Sequence, residues 1–232
     1  LHYPLRRQRQ MCIRDRQKYG INVEAFDLYQ LFDLYNKVDT TSTSFIEAQK
    51  TIRGLSDVSN VTRDRMEKIT RLYLSMKELV RQYHLDAIGI RCWNDMQEVI
   101  GITPCFVNGI LSMEGIPVAC ETDICNAVAM VALQAAANEA ALIMDWNNNF
   151  ENDPNKCILF HCGNVPPSQM AGNGKVVSHA LIDKGREVQV GWGCNQGRVR
   201  QGRLTYLSSK TSDGKLSFYI GKGRVTDDPI EE

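Results

Sequence analysis

Three short runs of apolar residues dominate the hydrophobic pattern in the middle of this chain. Each run is followed at once by a residue that can hold a metal or a proton, namely Glu121, Asp145 or His161. Short continuous apolar runs with polar borders predict strands that are buried on both faces. The three runs are Ile116–Cys120, Ala141–Met144 and Cys157–Phe160.

The segment Asp123–Ala137 lies between the first two runs, and it is rich in alanine and unbroken. It predicts a buried crossover helix for which Asp123 is the N-cap. A strand, a helix and a strand in this order form a parallel sheet, and such sheets bind ligands outside the carboxyl ends of their strands. We therefore expect Glu121, Asp145 and His161 at one rim of the sheet.

A fourth predicted strand, Asp86–Ile90, adds Arg91, Cys92 and Trp93 to the same rim. The rim then carries a guanidinium, an indole, two carboxylates and an imidazole. Strand ends are often polar only because the chain leaves the core there, so no single one of these residues establishes a function. Polar, ligand-binding side chains at the ends of four consecutive predicted strands favour a ligand site.

Amphipathic spacing predicts the helices that flank this sheet. Apolar residues recur at helical intervals within Val23–Val38 and Thr62–His84. Thr103 and Pro104 favour a further helix, with Thr103 as its N-cap and Pro104 as its first residue. Shorter helices are predicted at Ser44–Arg53 and Asn94–Ile100. Helices alternating with strands indicate an α/β domain with a parallel, doubly wound sheet over residues 17–165.

The composition changes at about residue 165. Residues 163–174 contain two prolines, two asparagines and three glycines, which predict a linker or a loop over the site. From Lys175 onward apolar and polar residues alternate, and Asp213-Gly214 between two such runs predicts a hairpin. Residues 166–232 are therefore expected to form an incomplete antiparallel β-barrel domain.

Residues 1–16 do not share the pattern of the rest of the chain. They are basic and unpatterned, and residues 11–16 match an in-frame translation of a common sequencing adapter. We interpret them as a non-native leader, although a genuine basic arm would have a similar composition.

The composition restricts the class of partner and the compartment. Lysine plus arginine and aspartate plus glutamate number 27 each, so no net charge attracts nucleic acid or an acidic membrane. The chain has no uncharged apolar run of 18 residues, so no membrane span is expected. Several of its eight cysteines lie in or beside apolar runs, which is typical of free thiols in a reducing cytoplasm. Paired CxxC motifs are absent, which argues against zinc bound by thiolates.

The two carboxylates, Glu121 and Asp145, have two possible uses at neighbouring strand ends. Carboxylate oxygens suit a hard divalent cation such as Mn²⁺ or Mg²⁺. They also suit general acid–base catalysis, in which one group gives a proton and the other takes one. Many α/β proteins place acids at such ends, so the spacing alone does not decide between these uses.

Several of these stretches resemble the L-fucose/L-arabinose isomerase family, and most closely its fucose isomerase-like branch. The resemblance covers roughly residues 28–225. It is carried by Arg91-Cys92-Trp93, Pro104-Cys105, the sequence GIPVACETD ending at Asp123, Asp145-Trp146-Asn147-Asn148 and His161-Cys162-Gly163-Asn164.

The resemblance implies aldose–ketose isomerisation of a monosaccharide through a cis-enediol, in a cytoplasmic enzyme that is a homo-oligomer at full length. It implies Mn²⁺, or another divalent cation such as Mg²⁺ or Co²⁺, held by Glu121, Asp145 and His161. The same two carboxylates would be catalytic. The substrate-binding residues that it implies are Arg91, Trp93, Asn147 and Asn164.

The chain departs from the family pattern in two places. The N-terminal region of the family and its late C-terminal histidine have no counterpart here. We therefore expect a fragment that is inactive by itself, and the identity of the sugar stays open. The alternatives are a non-catalytic sugar-binding or regulatory protein with the same rim, and a metal-dependent enzyme of different chemistry on a polyol, such as a lyase.

Overall fold

The computed structural model describes residues 19–212 and 215–230, so the leader assigned to residues 1–16 lies outside the described part. Its first elements are the helices α1 (Leu28–Lys37), α2 (Thr43–Arg53) and α3 (Arg63–Tyr83). Side chains cap all three: Asp27 caps α1 in a capping box with Gln30, Ser42 caps α2 and Thr62 caps α3. These caps accept from backbone N–H groups that have no partner within a helix, so each helix begins where its cap lies.

Helix α3 is the long helix that the sequence predicts between Thr62 and His84. Met66, Ile69 and Met76 from its apolar stripe are at most 1% exposed and form part of the main core. The helix ends at Tyr83, and the left-handed backbone of the following His84 (φ 51°) lets the N–H of Leu85 donate to Val80 O (3.1 Å). Along the described residues, no helix is both long enough and apolar enough to cross a membrane.

The central α/β unit contains one parallel strand pair. Strands β1 (Ile88–Gly89) and β2 (Val118–Ala119) are parallel neighbours, and the helices α4 (Asp95–Val99) and α5 (Cys105–Met113) lie between them in sequence. After β2, a 3₁₀ turn at Cys120–Thr122 leads into α6 (Ile124–Ala137). The parallel pairing of these two strands and a helix after Asp123 are thus confirmed, although each strand has only two paired residues and the helix does not lead to a further parallel strand.

The third parallel strand predicted at Ala141–Met144 is wrong. These residues form no strand, and the chain pairs only from Asp145, where β3 (Asp145–Phe150) runs antiparallel to β4 (Asp153–Phe160). The run of three asparagines after Trp146 is too polar for a buried strand, and the first five residues of β3 are exposed. Each of the four sheets in the described residues has two strands, so the doubly wound sheet is not present in that form.

Helix α5 begins one residue later than expected. Pro104 occupies the N-cap position without a side-chain hydrogen bond, and Cys105 is the first helical residue. The Thr103 hydroxyl does not cap the helix, because it lies 3.3 Å from Trp192 O and 3.4 Å from Gly191 O. Thr103 therefore connects the helix to a strand from the C-terminal part of the chain.

The C-terminal part is mostly antiparallel, as the alternating pattern predicts. Strand β5 (Lys175–Ser178) pairs with β6 (Trp192–Gln196), and β7 (Gly202–Ser212) pairs with β8 (Lys215–Val225). The predicted hairpin is confirmed by the pairing of Ser212 with Lys215, while the turn residues 213–214 lie outside the described part. A short helix, α7 (Ala180–Asp183), was not predicted; His179 caps its start.

The main core continues across residue 165. Val176 and Trp192 belong to the same buried cluster as the residues of α3 and α5. Backbone hydrogen bonds also cross this position, from Thr103 N to Trp192 O (2.8 Å) and from Val176 N to Asp57 O (2.8 Å). Strand β6 therefore packs directly on the α/β unit.

Gly109 in α5 provides a test of how closely these parts approach. A Cβ at this position would lie 2.7 Å from Val165 O and 3.0 Å from Asn164 O, and backbone atoms cannot move aside as a flexible side chain can. We expect Gly109→Ala to lower the free energy of unfolding by about 1–3 kcal/mol in a urea titration, although alanine is otherwise the better helix former. The matched control is Gly54→Ala, because a Cβ there has its nearest atom at 3.4 Å and the backbone is right-handed. Equal effects of the two substitutions would contradict the close approach.

Candidate functional site

Glu121 lies in a strained turn at the end of β2. Its backbone is left-handed (φ 58°, ψ 25°), and so is that of Thr122 (φ 61°). Two successive non-glycine residues in this region are costly, and such strain persists only where surrounding contacts hold it. Those contacts are hydrogen bonds from Thr122 N to Ile90 O (3.0 Å) and from Asp123 N to Cys120 O (3.1 Å). The turn presents the Glu121 side chain to solvent.

Asp123 has the role that its position predicts. Its carboxylate accepts from Asn126 N (2.9 Å), which makes it the N-cap of α6. Its second oxygen accepts from Asn126 Nδ2 (2.6 Å), and Asn126 Oδ1 in turn accepts from Ser208 Oγ (3.0 Å). This chain of hydrogen bonds ties the turn after β2 to the β7–β8 hairpin.

Asp145 and His161 are brought together by the β3–β4 hairpin rather than by a parallel sheet. Asp145 is the exposed first residue of β3 and pairs with Phe160, the residue before His161. The charges of Asp145 and Glu121 both act on the His161 imidazole by raising its pKa. Burial acts more strongly in the opposite direction, so the pKa of His161 lies below its usual value.

The hydrogen bond of His161 determines the tautomer of its ring. Its Nδ1 accepts from the backbone N–H of Cys162 (2.8 Å), so the neutral ring carries its proton on Nε2. A metal ligand needs a lone pair on the coordinating nitrogen, and neither nitrogen offers one in this orientation.

The predicted metal ligands do not fit a divalent cation as they are arranged. Among residues 19–212 and 215–230, no group of three or more histidine, cysteine, aspartate or glutamate side chains is placed to hold a metal ion. Glu121 and Asp145 are exposed, and His161 uses Nδ1 as an acceptor. We therefore assign no chemical step to a metal in this arrangement.

The four predicted substrate-binding residues have different environments. Arg91 is exposed and forms an ion pair with Asp95 (3.0 Å), and Asn147 is exposed at an irregularity in β3. Trp93 is half-buried, whereas Asn164 is 3% exposed and its Nδ2 lies 3.4 Å from Cys120 Sγ. A ligand at the surface could thus reach the exposed side chains of Arg91 and Asn147 and part of the half-buried Trp93. Asn164 instead contacts Cys120, at the end of the strand that precedes Glu121.

His179 is a site residue that the sequence reasoning did not select. It lines a cavity of about 10 Å³, roughly the space of one water, together with Trp93 and His161. Its ring meets Trp93 edge-on at 5.5 Å between centroids, and its Nδ1 accepts from Ile182 N (3.4 Å). It is distant in sequence and follows a strand of the C-terminal part, so no local motif indicates its place.

Comparison with known proteins gives this arrangement a context. No protein-family model matches the chain. The sulfoquinovose isomerase of Priestia megaterium is 26% identical over 211 residues, which cover 90% of this chain and 45% of the relative. That of Alkalicoccus urumqiensis is 28% identical over 149 residues, covering 62% and 32%. A third, from a Clostridium species, is 22% identical over 215 residues, covering 91% and 46%.

The chain is thus similar to sugar isomerases. It spans about half the length of the curated relatives it matches. The similarity supports the sugar isomerase interpretation at the level of the reaction class. It does not single out the L-fucose/L-arabinose isomerase family.

The two half-buried histidines, His161 and His179, predict how stability depends on pH. Burial lowers the pKa of both His161 and His179 below 6.5, so the folded state favours their neutral forms. As the pH falls below 6.5, the unfolded chain takes up protons first, and the free energy of unfolding decreases until the pH has passed the folded pKa values. Above pH 6.5 this contribution is fully present.

We expect His179→Gln to flatten the dependence of unfolding free energy on pH between about 6.5 and 5, measured by urea titrations at each pH. The imidazole NMR signals of His161 and His179 should titrate below 6.5 in the wild-type chain. A variant that keeps the wild-type slope, or imidazoles that titrate above 6.5, would contradict the burial of these rings.

Proposed function

We propose that the whole protein is an aldose–ketose isomerase and that this chain carries its proton-transfer carboxylates, Glu121 and Asp145. The observation that supports this most is that Asp145 pairs with Phe160, directly before His161, and that the charges of Asp145 and Glu121 both raise the pKa of this half-buried imidazole. The similarity to sulfoquinovose isomerases over 90% of the chain supports the reaction class. It also suggests the substrate, a hexose that bears a sulfonate.

The proposed chemistry needs a base and an acid at adjacent carbons of the sugar. One carboxylate removes the proton from C2 of the open-chain aldose, and a carboxylic acid returns a proton to C1, while the hydroxyl proton of O2 moves to O1. The neutral Nε2–H of His161 would donate a hydrogen bond to a sugar oxygen. Trp93 offers an apolar face, and Arg91 offers donors for an anionic or hydroxyl group.

A divalent cation is part of the family resemblance, and we retain it only as a proposal for the whole protein. The described side chains do not assemble three ligands, so a cation would require a changed orientation of His161 or ligands from elsewhere. The proton transfers above are assigned to this chain's own residues.

A second candidate function is non-catalytic sugar binding on the same surface. It is favoured by the exposure of both carboxylates, because a wet site weakens the electrostatic interactions that catalysis uses. Turnover distinguishes the two candidates: purified full-length protein should convert sulfoquinovose into the corresponding ketose, detected by NMR of the sugar. Saturable sugar binding without conversion would favour the second candidate.

Replacement of Asp145 tests the assignment of the carboxylates. In the full-length protein, Asp145→Asn keeps the shape of the side chain and removes its charge and basicity, and we expect kcat to fall by about 10²–10⁴. The matched control is Asp123→Asn, which should retain most of the activity because asparagine caps a helix about as well as aspartate. Equal, severe losses would show that Asp123 is the reacting group.

The 232-residue chain by itself should bind Mn²⁺ weakly or not at all and should not isomerise sugars. The reason is the exposure of Glu121 and Asp145 together with the engaged Nδ1 of His161. Isothermal titration with MnCl₂ in the presence and absence of sulfoquinovose checks the first part, and the NMR assay checks the second. Tight Mn²⁺ binding that is lost in Glu121→Gln would show that these ligands do assemble.

A further inference from the structure

The β7–β8 hairpin carries a local charge that the chain as a whole does not have. Its two strands, Gly202–Ser212 and Lys215–Val225, contain five basic side chains and no acidic one. The whole chain has 27 basic and 27 acidic side chains. All five basic side chains of the hairpin are exposed, namely Arg203, Lys210, Lys215, Lys222 and Arg224. The hairpin is therefore a cationic surface on a chain without net charge.

Three of these cations lie together on one face of the hairpin. The strands pair in continuous register, and Arg203 is the direct cross-strand partner of Arg224. Lys222 is two residues from Arg224 on the same strand, so the alternation of side chains places it on the same face. Lys210 and Lys215 fall on the opposite face by the same rule. Arg203, Lys222 and Arg224 form the cation cluster.

The packing of the hairpin leaves the cation cluster open to solvent. On the opposite face, Tyr206 meets Trp146 of β3 edge-on, with 5.7 Å between ring centroids. Helix α6 contacts the hairpin farther along, where Ser209 Oγ donates to Cys125 O (2.7 Å). Ser209 lies six residues from Arg203, which is about 20 Å along a strand. The cluster thus faces away from β3 and lies well beyond the contact with α6.

The cations of the cluster have no partner among residues 19–212 and 215–230. Their side chains form neither an ion pair nor a hydrogen bond with any of these residues. Two arginines just before β7 are engaged, since Arg198 donates to Asp227 O (3.4 Å) and Arg200 pairs with Glu139. Like charges directly opposite each other on a sheet are destabilising. The opposed arginines of the cluster therefore favour an anion between them.

We propose that the cation cluster binds a tetrahedral oxoanion, either free phosphate or the phosphate group of a small-molecule ester. The guanidinium groups of Arg203 and Arg224 each present a planar fork of N–H donors that matches two oxygens of such an anion. Lys222 supplies a third positive charge beside them. A dianion between the opposed arginines replaces their repulsion by attraction. This site does not depend on the isomerase proposal.

The distribution of charge argues against larger occupants. A second copy of the hairpin would bring five further cations against these five, so self-association through this surface is disfavoured. A nucleic acid strand gains affinity from many phosphate contacts. The two faces of the hairpin divide the cations into three and two, which leaves few contacts for one strand of nucleic acid. A single small oxoanion fits the cluster best.

The test titrates inorganic phosphate, and in parallel glucose 6-phosphate, into the 232-residue chain at pH 8, where the phosphate group is a dianion. Sodium chloride holds the ionic strength constant, so that general screening does not change. The backbone amide NMR signals of Arg203, Lys222 and Arg224 should shift together and saturate. We expect a Kd for phosphate on the order of 1–10 mM, because the site is exposed. Equal Kd values would show that the oxoanion alone is recognised, and a lower Kd for glucose 6-phosphate would show that the ester is.

Substitutions on the two faces separate a site from a diffuse charge effect. Arg203→Gln and Arg224→Gln should each weaken phosphate binding about tenfold, because each removes one charge-assisted fork. The matched control is Lys210→Gln, which removes one positive charge from the opposite face of the same hairpin and should change the Kd less than about twofold. All three side chains are exposed, so these variants should keep the wild-type amide spectrum of α3.

Equal losses of affinity in Arg203→Gln and Lys210→Gln would overturn the proposal, because they would show that only the overall charge matters. So would amide shifts that do not saturate, or shifts of the same size with sodium chloride alone. Wild-type affinity in Arg203→Lys would overturn the guanidinium contact, since lysine keeps the charge and lacks the fork.

Discussion

Helix α5 is buried along its length, and the position of almost every other functional element depends on its packing. Residues from Cys105 to Ser112 are all buried. The helix contacts the loop after β4 at Gly109, where the carbonyls of Asn164 and Val165 leave no space for a side chain. Thr103, just before its N-terminal end, contacts β6 through hydrogen bonds of its backbone N–H and its hydroxyl to Trp192 O. A close-packed interior cannot adjust to small changes at such contacts, so this helix sets the relative positions of its neighbours.

The packing of helix α5 also determines the geometry of the candidate site. Asn108 of α5 and Asn164 of the following loop both contact Cys120 Sγ, the residue before Glu121. The strained left-handed turn at Glu121 therefore begins at a residue held from two sides. The loop held by Gly109 begins just after His161, so the same helix also fixes the imidazole relative to Glu121. The side chains of the candidate site are in this way held by the buried residues of α5 and of the loop after His161.

The sequence predicted local features well where periodicity or capping chemistry determines them. Thr62, Asp123 and the alternating strands after Lys175 behave as their patterns indicate. The error at Ala141–Met144 has a physical cause: a four-residue apolar run fits a strand or a buried loop equally well. The asparagines after Trp146 were the signal that a strand there would be exposed. His179 could not be found, because its place depends on how β5 and β6 pack on the α/β unit, which no local pattern encodes.

The difference in burial between the imidazole and the two carboxylates indicates what a catalytic form of this site requires. His161 is half-buried and held neutral by its surroundings, whereas Glu121 and Asp145 face solvent. Water around a carboxylate raises the effective dielectric and competes for the proton acceptor, so an exposed pair discriminates poorly between ground state and transition state. Proton transfer at a sugar carbon therefore requires a cover over these two side chains that leaves His161 in place.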